Sequence, residues 1–273
     1  MAHTDAASRV TPPRTRAAGV LTGRGARIAV GAALPIALVV AWFLLTLPGD
    51  PIVPPYRFPS PQSVLQAAVT LAERGELGQF TAISVQRVLI GFAVGAALGV
   101  TIGGIVGLSR LWDLALSPTL GIVRAVPSLA WVPLLVVWFT GGEPPKIILI
   151  AIGAFFPVFT TVSLALRHVD PHLVELGRSF GLRSIRLFLT VHLPAILPAL
   201  FSGLRLALVQ AWLFLVAAEL LGASMGLGFL LSRGQSNGRV DQILLAIILL
   251  AVLGKVTDSI LQVVQRWAVR RWG

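Results

Sequence analysis

Long apolar runs separated by short polar segments dominate the pattern of this chain. Three runs without a charged residue approach the ~20 residues that an α-helix needs to cross a ~30 Å hydrocarbon layer. They cover 28 to 49, 88 to 109 and 147 to 166. Three further runs carry only isolated charges and cover 114 to 140, 194 to 222 and 241 to 265. Because the strict alternation of a membrane barrel is absent, the pattern predicts an all-α integral membrane protein with six transmembrane helices.

The basic residues fall mainly on one side of this predicted topology. The net charge of +11 would by itself be compatible with nucleic-acid binding. With the amino terminus inside, most arginines lie in the inner segments, and the outer segments hold only Arg57, Arg74, Lys146, Arg233 and Arg239. This positive-inside bias predicts a multi-pass protein of the cell inner membrane with both termini in the cytoplasm. It explains the charge without nucleic acid as a partner.

Length and composition define the segments around the core. Residues 1–27 are rich in Arg, Thr, Pro and Ala and are predicted to be a disordered cytoplasmic arm. The run 28–47 exceeds the ~7 to 15 apolar residues of a signal peptide, so it is predicted to be a retained first transmembrane helix. Residues 266–273 form a basic tail, predicted to be cytoplasmic. Cysteine is absent, which excludes disulfides and thiol chemistry.

Residues 48–76 are predicted to be an external segment that begins with a proline-rich stretch. Its second part has apolar side chains at helical spacing, namely Val64, Leu65, Ala68, Val69 and Leu71. This spacing predicts a short helix at the membrane interface. Two interpretations stay open: the helix only steers the second span, or it contacts an external solute receptor.

The second span carries a stripe of glycines at every fourth position, made of Gly91, Gly95, Gly99, Gly103 and Gly107. Such a stripe lets another helix approach closely. Each glycine costs roughly 1 kcal/mol relative to alanine in a helix interior, so tight packing or motion must compensate. The stripe is interpreted as a packing seam within one subunit, or else as a seam at a dimer interface or along a sliding contact.

The third span contains two prolines and a charge. Pro127 and Pro133 are expected to interrupt the helix, as in spans that line a cavity. Arg124 falls near the membrane midplane, where a charge is costly unless it faces protein, a partner or a ligand. We therefore predict that Arg124, Pro127 and Pro133 line the translocation path and that the path favours an anionic substrate.

Depth along the helices, at ~1.5 Å per residue, suggests two structural ion pairs between spans. Arg87 and Glu219 both fall in the outer third, and Arg205 and Asp258 both fall inward of the midplane. Lys255 competes for Asp258, because it lies three residues earlier on the same helix. Arg124 has no obvious acidic partner at its depth.

The segment 167–193 reads as a pair of short helices between two spans. Asp170 and Pro171 form a helix start, and Gly181 suits the left-handed end of that helix. Its apolar face holds Leu173, Leu176 and Phe180. A second short helix is predicted from Ser184 to Leu193, with Ile185, Leu187, Phe188 and Val191 as its apolar residues, and Pro194 opens the next span. An apolar knob beside Arg178, Arg183 and Arg186 suits docking to a partner, although an ordinary amphipathic connector would have the same composition.

The spacing in this segment resembles the EAA loop of importer permeases in the ATP-binding-cassette (ABC) transporters. The matching positions are Glu175-Leu176-Gly177, then Gly181, then Val191-His192-Leu193-Pro194. Leu176 and Gly177 depart from the usual alanine pair, and Val191 replaces isoleucine. The resemblance implies a coupling helix that contacts an ATPase through Glu175, Leu176, Gly177, Arg178, Phe180, Gly181, Leu193 and Pro194.

Further segments extend the resemblance over about two thirds of the chain. They are Phe58–Pro61, Ser84–Phe92, Val126–Leu134, Gly203–Ala207, Ala217–Leu220 and Gly226–Gly228. Together they resemble type I importer permeases of the aliphatic sulfonate, taurine and nitrate branch. This likeness implies a permease core over 77–265 that contains the coupling loop 167–193.

The resemblance also implies partners. The permease binds no nucleotide or metal, and ATP is used by two separate ATPase subunits. An extracytoplasmic solute-binding protein delivers the solute, and two identical permease chains are expected to pair in the bilayer. In agreement, Gly254-Lys255-Val256 lacks the upstream glycine and the hydroxyl of a phosphate-binding loop.

Two rival classes remain at this stage. A membrane-embedded enzyme would need converging catalytic groups, but Asp170-Pro171 separates His168 from His172 and disfavours a metal site there. A proton-coupled secondary transporter or channel is the stronger rival. It would use Arg205, Glu219, Lys255 and Asp258 as relay groups, and it would work without an ATPase subunit.

Overall fold

The computed structural model describes residues 24–47, 52–139 and 141–272 of the chain. Every regular element within these residues is helical, with a 3₁₀ turn at Ser128–Ala130 and a π turn at Phe188–His192. The α-helices are α1 Arg24–Leu45, α2 Pro61–Glu73, α3 Glu76–Leu108, α4 Arg110–Ala125, α5 Trp131–Phe139, α6 Pro144–Arg167, α7 Pro171–Ser179, α8 Ser184–Leu187, α9 Leu193–Gly222, α10 Leu227–Ser236 and α11 Val240–Trp272.

The chain divides into two compact units, Met1–Pro55 and Tyr56–Gly273. In the described part of the first unit, α1 begins at Arg24, four residues before the predicted start of the first span. The Thr46 hydroxyl donates to the Trp42 carbonyl at 2.8 Å and closes the last turn of this helix. Most of the predicted disordered arm, residues 1–23, lies outside the described residues.

Four helical stretches of the described residues are long and apolar enough to cross a membrane, namely Glu76–Leu108, Pro144–Arg167, Ser184–Leu220 and Val240–Arg271. The bent pair Arg110–Ala125 and Ser128–Phe139 is a fifth if it counts as one span. The apolar stretch Ala32–Leu45 of α1 is shorter than these. An all-helical membrane protein is thus confirmed, whereas the predicted number of six spans is not.

The tightest helix pair of the second unit is α3 against α6. The glycine stripe of α3 faces α6 along its whole length: a Cβ added at Gly95 would lie 2.3 Å from the Ala151 carbonyl oxygen. At Gly107 it would lie 2.8 Å from Cβ of Leu166. The stripe is therefore a packing seam within one subunit, the first of the predicted interpretations. α9 packs against α6 and also contacts α3, and α11 packs against α9.

The third predicted span is sharply bent. α4 ends at Ala125, and Val126 adopts the extended conformation that a following proline favours. The chain continues through the 3₁₀ turn into α5 at 78° to α4. The predicted break at Pro133 is wrong: Pro133 is the third residue of α5, where the amide N–H would have no helical acceptor and proline is tolerated.

The second predicted loop helix is also different in the structure. Instead of ending before Pro194, α8 continues through the π turn into α9, so that Ser184–Leu220 forms one apolar helical stretch. Pro194 has no N–H for the Thr190 carbonyl. The N–H of Leu193 bonds to the Phe188 carbonyl five residues earlier, which accommodates the proline without a chain break.

The predicted interfacial helix is α2. The Ser60 hydroxyl accepts a hydrogen bond from the Ser63 amide at 3.3 Å and caps its start. Val64, Ala67 and Leu71 are buried, and the helix packs against α11 and α3. Sequence spacing correctly predicted a helix in this segment, and its buried face is formed by these three side chains.

Candidate translocation path and coupling loop

Arg124 lies on the wall of a cleft between α4, α6 and α9. The cleft has a volume of about 380 Å³. Its polar side chains are Arg124, Ser128, Thr160, Thr161 and Gln210. The Arg124 guanidinium donates to the Thr160 hydroxyl at 3.1 Å, and no carboxylate pairs with it within the described residues. The cleft thus offers a positive charge and hydroxyl groups to a small polar ligand.

The two prolines that were predicted to line the path with Arg124 are not part of this cleft. Neither Pro127 nor Pro133 lines the cleft, although Ser128, directly after Pro127, does. The lining proline is Pro157 of α6, whose carbonyl accepts the Thr161 hydroxyl at 2.8 Å. Sequence reasoning missed Pro157, although Thr160 and Thr161, one turn later in an otherwise apolar run, were an available signal.

A second polar site lies between α3, the start of α6 and the end of α9, and we call it the closed cluster: Ser84, Arg87, Glu143, Glu219 and the backbone of 225–228. Arg87 donates to Glu219 at 2.7 Å and, through Nε and Nη2, to both carboxylate oxygens of Glu143 at 2.6 Å. The side chains of Arg87 and Glu219 are only 5% and 0% exposed.

The remaining polar atoms of the closed cluster also have partners. The Ser84 hydroxyl donates to Glu219 at 2.9 Å and accepts from the Leu227 amide at 2.8 Å. The Gly228 amide donates to Glu219 at 2.8 Å. A Cβ at Gly226 would lie 2.4 Å from a Glu219 carboxylate oxygen, so this glycine is required for the close approach of the carboxylate.

Glu143 gives the closed cluster its contact with solvent. It lies directly before α6, outside the apolar span, and its side chain is 54% exposed. Hydrogen bonds from the Arg87 guanidinium lower the pKa of Glu143 to about 2, with a smaller contribution from the Lys146 ammonium group. Sequence analysis identified Arg87 and Glu219 but missed Glu143 and Ser84.

The other ion pair between spans, which we call the open pair, is Arg205 and Asp258. Arg205 donates through Nε and Nη2 to the two carboxylate oxygens at 2.8 and 3.2 Å. Gln262 also donates to Asp258, at 3.0 Å. Lys255, the predicted competitor, is 3.9 Å from the same carboxylate, and its side chain is 73% exposed. Arg205 is therefore the principal partner of Asp258.

The predicted coupling loop contains two short helices, α7 and α8. The Asp170 side chain caps α7 by accepting from the His172 amide at 2.9 Å. Gly181 has φ of +78°, and the following Leu182 amide donates to the Gly177 carbonyl at 3.1 Å. This pattern is the glycine-terminated helix end that satisfies the last carbonyls. The structure thus has the helix start and stop that were predicted for this segment.

The side chains of the loop are arranged around the junction of α7 and α8. Gly177 is buried because Leu187 and Val191 fill the space of its missing side chain, with a built Cβ only 2.7 Å from Leu187. The large apolar side chains Leu173, Leu176, Phe180 and Ile185 are exposed. We call these four the apolar knob. Glu175 and Arg178 are exposed beside it, whereas Leu193 and Pro194 are half-buried at the start of α9.

Comparison with known proteins shows which family has this architecture. Residues 95–270 match the family described as the binding-protein-dependent transport system inner membrane component. The chain is also 40% identical over 237 residues to the putative aliphatic sulfonates transport permease protein SsuC of Escherichia coli (strain K12), covering 87% of this chain and 89% of that protein. The chain belongs to this permease family.

Two further similarities agree with this assignment. The chain is 32% identical over 238 residues to the taurine transport system permease protein TauC of Escherichia coli (strain K12), covering 85% of this chain and 86% of that protein. The solved MetNI methionine ABC transporter, in an inward-facing conformation, shares the fold with a TM-score of 0.58 at 21% identity. That match covers 70% of this chain and 93% of the solved one. The predicted resemblance to the sulfonate, taurine and nitrate branch is confirmed.

Family membership establishes the general role of the chain. It is a multi-pass inner membrane component of an ABC importer and a transport permease. The family implies ATPase subunits and a solute-binding protein as partners.

Proposed function

We propose that this permease moves a small organic anion through the Arg124 cleft and that its loop 167–193 is the docking element for the ATPase. Two copies of the chain form a dimer within the bilayer, and both termini are cytoplasmic. The observation that carries the proposal is the apolar knob, which consists of four exposed large side chains on α7, α8 and the turn between them, with α7 capped by Asp170.

The apolar knob has the properties of an interface anchor. Phe180 is 78% exposed and belongs to a cluster of four exposed apolar side chains, and such a patch with polar residues around it is typical of an interaction site. Within the described residues, Arg178, Arg183 and Arg186 around the knob form no salt bridge. A groove with an apolar floor and an acidic rim on the ATPase would complement both features.

Replacing Phe180 with alanine tests the docking role. We expect Phe180→Ala to weaken co-purification with the ATPase roughly tenfold or more, because aromatic anchors at an interface contribute ~2 kcal/mol or more. ATP-driven uptake into vesicles should fall in parallel. Leu111→Ala is the matched control, since Leu111 is equally exposed but lies on α4, outside the loop.

Two results would contradict the docking role. One is unchanged ATPase binding in Phe180→Ala while the inserted amount of protein stays the same. The other is concentrative uptake by vesicles that contain the permease without any ATPase, which would favour a secondary transporter.

The Arg124 cleft supports the anionic solute. Among the residues that the structure describes, no carboxylate pairs with the Arg124 guanidinium, which donates to the Thr160 hydroxyl. It can therefore bind a sulfonate or a similar group by charge-assisted hydrogen bonds. We expect Arg124→Ala to raise the KM for uptake of an alkanesulfonate or taurine roughly tenfold or more, and Arg124→Lys to restore part of the loss. Anion uptake that is unchanged in Arg124→Ala would contradict this role.

A further inference from the structure

A polar stripe runs along the half of α11 that ends at Trp272. Its members recur at intervals of three and four residues and therefore share one helix face; they are Lys255, Asp258, Ser259, Gln262 and Arg266. The neighbouring faces carry exposed apolar side chains, among them Val256, Ile260 and Val263. The stripe is thus a polar surface beside an apolar one on the same helix.

Lys255 lies near the middle of this long helix. It is ~22 Å from Val240 and ~25 Å from Trp272 at ~1.5 Å per residue. Its side chain is largely exposed, and within the described residues its only ionic contact is with Asp258, at 3.9 Å. A lysine at the centre of a span is costly in lipid and normally faces protein or water. An exposed lysine at this depth therefore indicates an aqueous or protein environment on this face.

The stripe adjoins the Arg124 cleft across one open face of α9. Gly203 and Phe214 of α9 contact α6, and Trp212 donates to Thr257 of α11 at 3.0 Å. Between these two contact sides, Leu206, Val209 and Leu213 are exposed. Leu206 lines the Arg124 cleft, and its neighbour Arg205 forms the open pair with the stripe residue Asp258.

We propose that the polar stripe of α11 lines the water-filled solute path and that Lys255 is a second binding group for an anionic solute, next to Arg124. Arg205 and Gln262 already occupy both oxygens of Asp258. The Lys255 ammonium group is therefore available for a mobile anion. This inference rests on the proposed function as an anion importer, and it extends the path from the cleft toward Arg266.

The absence of cysteine from the chain permits a direct test of water access. Single cysteines are placed in the stripe (Lys255→Cys, Ser259→Cys, Gln262→Cys) and beside it (Val256→Cys, Ile260→Cys, Val263→Cys). The complete transporter in vesicles is then treated with a membrane-impermeant thiol reagent. We expect the stripe positions to react roughly tenfold faster, because the reactive species is the hydrated thiolate. An alkanesulfonate should slow the reaction at position 259, one turn from Lys255, because the Ser259→Cys variant keeps the Lys255 ammonium group.

Each outcome decides the matter. Equally slow reaction at all six positions means that lipid or protein covers the stripe and overturns the inference. Spontaneous disulfides between two copies at position 255, without reagent labelling, mean a dry subunit interface and also overturn it. Labelling reports only water access and is independent of the ATPase. Fast labelling of the stripe positions, in vesicles whose uptake needs no ATPase, would contradict the proposed function but would still support a water-lined stripe.

The anion-binding role of Lys255 has its own measurement. We expect Lys255→Gln to raise the KM for an alkanesulfonate roughly tenfold with little change in kcat, and Lys255→Arg to stay close to the original value. ATPase co-purification should be unaffected, because Lys255 lies outside the docking loop. An unchanged KM in Lys255→Gln, with the stripe still labelled, would leave a water-lined path without a second binding group and overturn this part of the proposal.

Discussion

The closed cluster and the open pair contain salt bridges of nearly equal length, 2.7 Å between Arg87 and Glu219 and 2.8 Å between Arg205 and Asp258. Their surroundings differ. In the closed cluster both side chains are buried, and serine and backbone groups satisfy the remaining polar atoms. In the open pair the Arg205 and Asp258 side chains are 39% and 17% exposed, and Lys255 remains available beside them.

The comparison indicates that burial and the number of hydrogen-bond partners, more than distance, determine how much an ion pair contributes to the stability of the fold. Removing one member of a buried, saturated pair leaves an uncompensated charge in a medium of low polarity. Removing one member of an exposed pair lets water screen the other. The closed cluster should therefore matter mainly for folding, and the open pair mainly for transport.

The largest expected effect is that of Glu219→Ala. It leaves the buried Ser84 hydroxyl and Gly228 amide without their carboxylate acceptor and removes the buried partner of Arg87, which keeps only the half-exposed Glu143. We expect a loss of ~3 to 5 kcal/mol of stability. Thermal unfolding of the purified protein in detergent measures this loss. Glu143→Ala is the control, because it removes a half-exposed carboxylate and leaves Glu219 with its contacts to Arg87, Ser84 and the Gly228 amide. Equal losses in the two variants would contradict the distinction.

Ser84→Ala should have a smaller effect within the same cluster. It leaves the buried Leu227 amide without its acceptor and removes a donor to Glu219, so we expect a loss of ~1 to 3 kcal/mol. Thr101→Ala on the same helix is the control, since the Thr101 hydroxyl is exposed and bonds only to its own helix. If Ser84→Ala loses no more stability than Thr101→Ala, the closed cluster tolerates an unsatisfied Leu227 amide.

A double-mutant cycle compares the open pair with the closed cluster directly. For Arg205→Ala and Asp258→Ala we expect a coupling energy of less than ~1 kcal/mol in detergent, as for exposed pairs. Uptake should nevertheless fall in both single variants, because each changes the charge of the proposed path. The same cycle on Arg87 and Glu219 should give a clearly larger coupling energy. Equal coupling energies for the two pairs would contradict the proposed difference between the open pair and the closed cluster.

The smallest effect concerns the pH dependence that Glu143 contributes. Its pKa is lowered from 4.5 to about 2 in the folded protein. The stabilisation that it provides is therefore present above the unfolded value and is lost as the pH falls from about 5 toward 2. Because the side chain is half exposed, solvent screening should limit this to a few tenths of a kcal/mol. In Glu143→Gln, thermal stability should decrease less steeply as the pH falls over this range. The same steepness as in the original protein would contradict a contribution from Glu143.

Much of the molecule follows from local patterns in the sequence. Run length and the glycine stripe predicted the apolar helices and the close approach of α3 to another helix. Depth along the helices placed Arg87 beside Glu219 and Arg205 beside Asp258. The start of α7 at Asp170 and its end at Gly181 depend on short-range hydrogen bonds, which the order of residues determines directly.

Other features depend on the packing of distant segments. Ser84 reaches Glu219 across 135 residues, and Glu143 joins the same cluster because α6 starts beside Arg87. The lining of the Arg124 cleft by Pro157, Thr160 and Gln210 and the tolerance of Pro133 were likewise decided by tertiary structure. Hydrophobic periodicity, capping and charge depth are properties of a single helix, so the sequence alone determined them. The angles and contacts between helices determine which polar groups meet and which stay open, and only the folded chain decides these.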